Sequence, residues 1–416
     1  MATSDSDQNA RPVVKPLLSR RDFLRYAGLV SGGLVLTACS SATSNTPNTP
    51  AAPGVTAATV PGATSSASLG KAVIAYAGGA CEAPTFIAYE HGYFQREGLE
   101  VELVALEAST LKEALAAGKI DGLQQTADSI KAIEQGLGIR ITSGLHKGCI
   151  RLVAGVATGI KSVADLKGKA VGVHVFGGLP QVLVQWALSD AGLDPLKDVT
   201  FKVFPPPQLE AAVAKGEVQA FSMYDPFPAI ALDNKSVVQI FSTHDNAPYK
   251  DMYCCFVGIA QGVVEQQPAK AAAITLALQK AAYWVSQHQA EAAKIVAAKK
   301  YVPASEELLA SLLKLYDYVP NVAQGKANFL RYAQVLKQVG VLEADTDPQK
   351  LADLAVATVT PEFVPSSAQT SDTTVAAFPA HLIPELNAAS AQVTCGPEHA
   401  HAHQQSRFYC DLVGAV

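Results

Sequence analysis

Two successive series of short apolar runs and helix-patterned segments constrain this chain more than any other feature. In the first, residues 71–77 read as a strand, 85–91 as a helix, 99–106 as an alternating strand and 111–117 as a helix closed by Gly118, with another strand from Lys119. The second begins near Ser162: strand 170–175, helix 179–191, strand 199–204, helix 209–215 and strand 219–223. Strands that alternate with helices at this spacing predict an α/β fold on largely parallel sheets, because each crossover helix must cover a sheet face. Two series of one kind predict two lobes of similar design.

Composition agrees with a folded body. Hydrophobic residues make up 49% of the 416 and charged residues 17%, a balance that supports a sizeable core. A formal net charge of -5 argues against nucleic-acid binding, which calls for a basic excess. No apolar run in the body approaches the roughly 20 residues of a spanning helix.

The N-terminus reads as an address. Ser19-Arg20-Arg21-Asp22-Phe23-Leu24-Arg25 precedes a mild apolar run over 26–37, the layout of an export signal. The paired Arg20 and Arg21 resemble a twin-arginine signal, and Leu36-Thr37-Ala38-Cys39 resembles a bacterial lipobox whose cysteine is lipidated. Residues 1–38 are therefore expected to be a signal peptide. Residues 39–70 are expected to be a disordered tether: from 40 to 70 there is no charged residue and little to bury, and such a chain would span about 30 Å.

The body carries a family resemblance. Ala88-Tyr89-Glu90-His91-Gly92-Tyr93-Phe94 with Glu97-Gly98-Leu99-Glu100-Val101-Glu102, then Ala114-Leu115-Ala116-Ala117-Gly118-Lys119-Ile120-Asp121, then Lys161-Ser162-Val163-Ala164-Asp165-Leu166-Lys167-Gly168-Lys169, resemble in order the type II periplasmic binding proteins. Ala187-Leu188, Ala191-Gly192-Leu193-Asp194-Pro195 and Tyr224-Asp225-Pro226 extend the pattern over about 290 residues. The branch it is most similar to comprises the nitrate, sulfonate, bicarbonate and pyrimidine-precursor receptors of ABC importers. The resemblance implies a two-lobed fold with a hinge of two crossover strands. Lobe 1 would be 71–155 with 252–365, lobe 2 would be 156–251, and 366–416 a tail of unknown structure. It also implies a small-molecule receptor, monomeric, that serves an ABC permease.

Open parallel sheets bind ligands outside the carboxyl ends of their strands. Four loops fall there: 78–84, 126–129, 176–180 and 224–227. They supply the candidate contacts Cys81, Glu82, Thr126, Asp128, Phe176, Gly177, Gly178, Tyr224 and Asp225. The loops hold the acids Glu82, Asp128 and Asp225 and neither Lys nor Arg. Carboxylates only accept hydrogen bonds, so a neutral or cationic nitrogen heterocycle is favoured over an anion. The alternative is that the acids cap helices, since each lies close to an expected helix start; Glu82 and Asp225 are read as contacts and Asp128 as either.

Cysteines converge on the expected lobe junction. Cys81 lies in the first loop, Cys149 in the first crossover beside His146, and Cys254 and Cys255 in the second. A disulfide from Cys149 to Cys254 or Cys255, buried free thiols, and a site for a metal or thiol-reactive ligand at which Cys81 and His146 converge with Cys254 or Cys255 are all open. Tyr253-Cys254-Cys255-Phe256 also resembles a shortened form of the cysteine-rich iron motif of the fungal thiamine-pyrimidine synthase, which has this fold. That resemblance makes a synthase-like enzyme the rival of a receptor, with a sensor subunit as a second rival. The motif's full run of cysteines is missing and no lysine lies in the four loops, so neither catalysis nor a cofactor is expected. In the tail, His399, His401 and His403 between Cys395 and Cys410 suit a zinc or nickel site, a solvated tail, or a disulfide between the flanking cysteines.

Overall fold

A computed structural model describes residues 68–364. The expectations for Arg20, Arg21, Cys39, the tether and the tail with His399, His401 and His403 lie outside the described residues.

The chain builds two five-stranded sheets. Strands β1 (Gly70–Tyr76), β2 (Leu99–Ala105), β3 (Gly122–Thr126) and β4 (Ile139–Lys147) start the first. Strands β5 (Ile150–Gly155), β6 (Lys169–Val173), β7 (Val199–Val203), β8 (Ala220–Tyr224) and β9 (Val237–Ser242) form the second, and β10 (Tyr253–Ala260) returns to the first. The strand orders are β2-β1-β3-β10-β4 and β7-β6-β8-β5-β9. In each sheet one strand runs against its neighbours. It is β10, antiparallel to β3 and β4, in the first, and β5, antiparallel to β8 and β9, in the second. These are the two strands that have just crossed from the other sheet, so they enter from the opposite end.

The architecture is the α/β, two-lobed fold the resemblance implied, with one boundary displaced. Residues 150–155, expected in lobe 1, pair with β8 and β9 in the second sheet. All six are buried. A strand covered on both faces shows no alternation, so its sequence does not say which sheet it joins. The first crossover is thus the short Gly148-Cys149 link, and the second is residues 243–252.

Helices cover the sheets and complete the first lobe. The expected helical stretch 268–299 divides into Pro268–Gln287 and Gln289–Ala298 at His288, whose φ of -134° leaves the helical region while its ring stacks on Trp284. Later helices begin at side chains that satisfy their free N–H groups. Ser305 accepts from the Leu308 N–H, Asn321 from Gln324, and Asp347 from Gln349 and Lys350. Helix Val322–Gln338 lies close on β4: a Cβ at Gly325 would stand 2.4 Å from the Gly144 nitrogen. No helix among the described residues is long and apolar enough to cross a membrane.

Candidate functional site

A cleft of about 510 Å³, counting the part open to solvent, lies at the carboxyl ends of β1, β3 and β8. Three of the four expected loops reach it, through Gly79, Cys81 and Glu82, through Thr126 and Asp128, and through Tyr224. Tyr224 and His174 come from the second sheet's side and the rest from the first, so the cleft is lined by both lobes. The fourth loop does not line it: Phe176 is 61% exposed, and Gly177 and Gly178 serve the start of helix Leu179–Asp190. His174, just before that loop, takes the place expected for Phe176.

The charges differ from the loop reading. Lys112, on helix Leu111–Ala116, lines the cleft and pairs with Asp128 at 3.3 Å, both side chains mostly buried. Asp128 also accepts from the Thr126 hydroxyl at 2.7 Å and makes no capping bond. Glu82 lines the cleft, but its oxygens accept the Ala77 and Gly79 N–H groups at 2.7–3.2 Å and so hold the loop. Burial and the neighbouring Cys81 push the Glu82 carboxyl up to about 8, against the pull of those N–H groups. Asp225, expected as a contact, is fully buried and does not line the cleft. It accepts from Arg151 Nε at 2.9 and 3.0 Å and from the Tyr316 hydroxyl at 2.8 Å. Burial raises its carboxyl to about 6, with Arg151 and Tyr316 opposing. The four loops hold neither Lys nor Arg, but their acids are met by cations from other elements: Lys112 at the cleft and Arg151 on the buried Asp225. Lys112 and Arg151 stand on a helix and a strand, where a count confined to loops does not find them.

Two glutamines from β3, not anticipated from sequence, supply the cleft's open hydrogen-bonding capacity. Both amide atoms of Gln125 are buried without a partner, as is Gln124 Oε1. Gly258 on β10 makes room for Gln125, since a Cβ there would lie 2.5 Å from the Gln125 nitrogen. His174 Nδ1 is also buried and unpartnered, and burial lowers this imidazole to about 4, so it is neutral at pH 7. Alternation along β3 was the available signal, but polar residues inside a buried strand read as ordinary outward positions.

The cysteines meet behind this cleft. Cys81, Cys149, Cys254 and Cys255 are free thiols and fully or almost fully buried. Cys149 Sγ lies 3.1 Å from Cys254 Sγ and 3.8 Å from Cys255 Sγ, so the disulfide alternative is not formed in this structure. His146 Nδ1 lies 3.6 Å from Cys254 Sγ, and its Nε2 lies 3.1 Å from the Gln124 amide nitrogen. That nitrogen also donates to the Cys81 carbonyl at 2.8 Å. Burial alone would lower His146, but the adjoining Cys254 and Cys81 sulfurs raise it to about 10. Hydrogen bonds from Cys149 and Cys255 hold the Cys81 thiol well below its ordinary value, against burial. Burial raises Cys149.

Comparisons with known proteins bear on the family and the fold. The model of the NMT1-like family matches residues 67–299. The nitrate/nitrite binding protein NrtA of Nostoc sp. (strain PCC 7120) is 26% identical over 318 residues, covering 68% of this chain and 71% of that protein. Among solved structures, the periplasmic nitrate-binding protein NrtA from Synechocystis PCC 6803 matches with a TM-score of 0.60 at 20% identity, covering 69% of this chain and 86% of that one. The alkanesulfonate-binding protein SsuA from Xanthomonas axonopodis pv. citri does so with a TM-score of 0.60 at 18% identity, covering 69% and 98%. At these identities the solved structures bear on the fold.

Proposed function

This chain belongs to the NMT1-like family, and from that premise we propose that it is a lipid-anchored extracytoplasmic receptor that closes two lobes on a small molecule and hands it to an ABC import permease. It is a solute-binding protein and not an enzyme, in keeping with relatives named as nitrate- and sulfonate-binding proteins. Ligand contacts drawn from two lobes exist together only when the lobes approach, so binding shifts the hinge equilibrium toward closure.

One observation carries the ligand class. The only cation lining the cleft among the described residues, Lys112, is already neutralised by Asp128, while the Gln125 amide offers an unused donor and acceptor. An anion would find no uncompensated positive charge there. A neutral or cationic nitrogen heterocycle would satisfy the amide, sit against Tyr224 and meet the neutral His174. A thermal-shift screen tests this. Aminopyrimidine-type heterocycles should stabilise the protein, by about 2.7 kcal/mol at one hundred times the dissociation constant. Stabilisation by nitrate or alkyl sulfonates with no heterocycle response would reverse the assignment.

Anchoring has its own test. Cys39→Ala should release the protein from the membrane fraction, and Lys-Lys in place of Arg20-Arg21 should block export. Unchanged membrane association of the Cys39 variant would remove the lipid anchor from the proposal.

A further inference from the structure

We propose that Cys81, Cys149, Cys255 and His146 form a tetrahedral zinc(II) site at the floor of the cleft, tying the hinge to the first cleft loop. The donor atoms of these four residues all lie within 4.8 Å of one another. Zn–S bonds of about 2.3 Å at tetrahedral angles place two sulfurs about 3.8 Å apart. Cys149 and Cys255 already stand at 3.8 Å. The remaining donors need only draw in by an ångström or less.

The donors come from four separate places. Cys81 is in the short helical turn Ala80–Glu82, His146 is on β4, Cys149 is in the first crossover and Cys255 is on β10. Residues this far apart in sequence converge with Sγ and imidazole nitrogen as the meeting atoms. Thiols that merely fill a core would meet carbon, whereas this group includes an imidazole and a glutamine amide. Three thiolates and one neutral imidazole are a zinc donor set, and soft sulfur ligands exclude magnesium or calcium.

A surrounding structure for the ligands is present. The Gln124 amide nitrogen donates to the Cys81 carbonyl at 2.8 Å and lies 3.1 Å from His146 Nε2. These contacts hold the first cleft loop and the His146 ring next to each other, and groups that fix ligands in place tune metal affinity. Cys254, 3.1 Å from Cys149, stands beside the four as a further sulfur. Each of the three coordinated thiols would release its proton to solvent as its S–Zn bond forms. Cys81 and Cys255 also line the cleft, so the ion would stand next to the bound solute. This inference does not depend on which solute the cleft takes.

The test uses the full chain, reduced with a phosphine and stripped of metal, titrated with cobalt(II) as a spectroscopic stand-in for zinc(II). One equivalent should produce thiolate-to-cobalt charge transfer and the intense visible bands of a tetrahedral ion, both erased by zinc(II). The triple variant His399→Ala, His401→Ala, His403→Ala should retain the spectrum, which separates this site from the tail. Cys149→Ser and Cys255→Ser should lose it. Gln124→Ala should keep the tetrahedral bands while zinc affinity falls about 10- to 100-fold, the mark of a positioning residue. If a serine variant fails to fold, the wild-type titration still decides. Absence of charge transfer in the reduced wild type, its loss in the tail variant, or its retention in folded Cys149→Ser would each overturn the site. Recovery of the native protein with a Cys149–Cys254 disulfide and no zinc would do the same.

Discussion

At the residue scale, Asp225 shows how a side chain's partners decide its role. Its carboxylate is removed from water and held by Arg151 and Tyr316, with Arg151 itself buried and further bonded to Gln239 at 2.6 Å. Breaking one half of such a pair strands the other charge, at a cost of about 3–5 kcal/mol. Arg151→Met should therefore lower unfolding stability by that order in urea titrations. Adding Asp225→Asn should recover part of the loss, and an undiminished loss in the double variant would show that the pair is not coupled. His174 makes a pH prediction. Its imidazole is lowered from 6.5 to about 4 by burial, with Asp128 raising it and Lys112 lowering it in smaller measure. The unfolded chain takes up a proton below pH 6.5 that the native state refuses. Stability is thus complete above pH 6.5 and falls as pH drops toward 4, by up to about 3 kcal/mol. His174→Gln should flatten the melting-temperature profile between pH 6.5 and 4, and an unchanged slope would assign that loss to other groups.

At the scale of elements, helix Val322–Gln338 packs tightly on β4. Gly325 meets Gly144 backbone to backbone, and the Tyr253 ring packs over Gly144, where a Cβ would stand 2.8 Å away. Neither neighbour is the free end of a flexible side chain, so a methyl group at Gly325 must push the helix off the strand. Gly325→Ala should cost about 1–3 kcal/mol or more by overpacking, although alanine is the better helix former. A stabilised Gly325→Ala variant in thermal unfolding would show that the helix can shift freely. The strands leave a different imprint. β5 and β10 are buried along their whole lengths because both sheets enclose their incoming crossover strand between neighbours. Those strands carry Arg151, Cys254, Cys255 and Gly258, so the hinge elements also build the region behind the cleft.

At the scale of the molecule, the lobes are joined near the cleft by bonds that converge on one residue. Asp225, on the second lobe, receives the Tyr316 hydroxyl on its carboxylate and the Ala80 N–H on its carbonyl at 3.0 Å, both from the first lobe. In the closure proposed above, these bonds would belong to the approached state of the lobes. A hydrogen bond to a charged group contributes about 1.5–3 kcal/mol, so on that proposal its loss should open the unliganded protein and weaken ligand by roughly 10- to 150-fold. Tyr316→Phe should thus enlarge the radius of gyration in solution scattering, with the ligand-bound form less affected. An identical radius for variant and wild type would mean that this bond does not bias the hinge.

The division between what the sequence determined and what folding decided follows from range. Alternating strand and helix patterns are local, and so they carried the α/β class, the doubled series and three of the cleft loops through Gly79, Thr126 and Tyr224. The lobe that owns 150–155 was not local: a strand buried on both faces has the same sequence in either sheet, and only its pairing with Ala220–Tyr224 assigns it. The charge of the site was not local either. Asp128 and Asp225 looked available because their partners Lys112 and Arg151 lie 16 and 74 residues away, beyond any loop motif. Cysteine composition pointed to the lobe junction, but the meeting of Cys81, His146, Cys149 and Cys255 required the crossovers to bring sulfurs from both ends of the body together. Electrostatics and coordination act through space, and it is the tertiary fold that decides which groups share it.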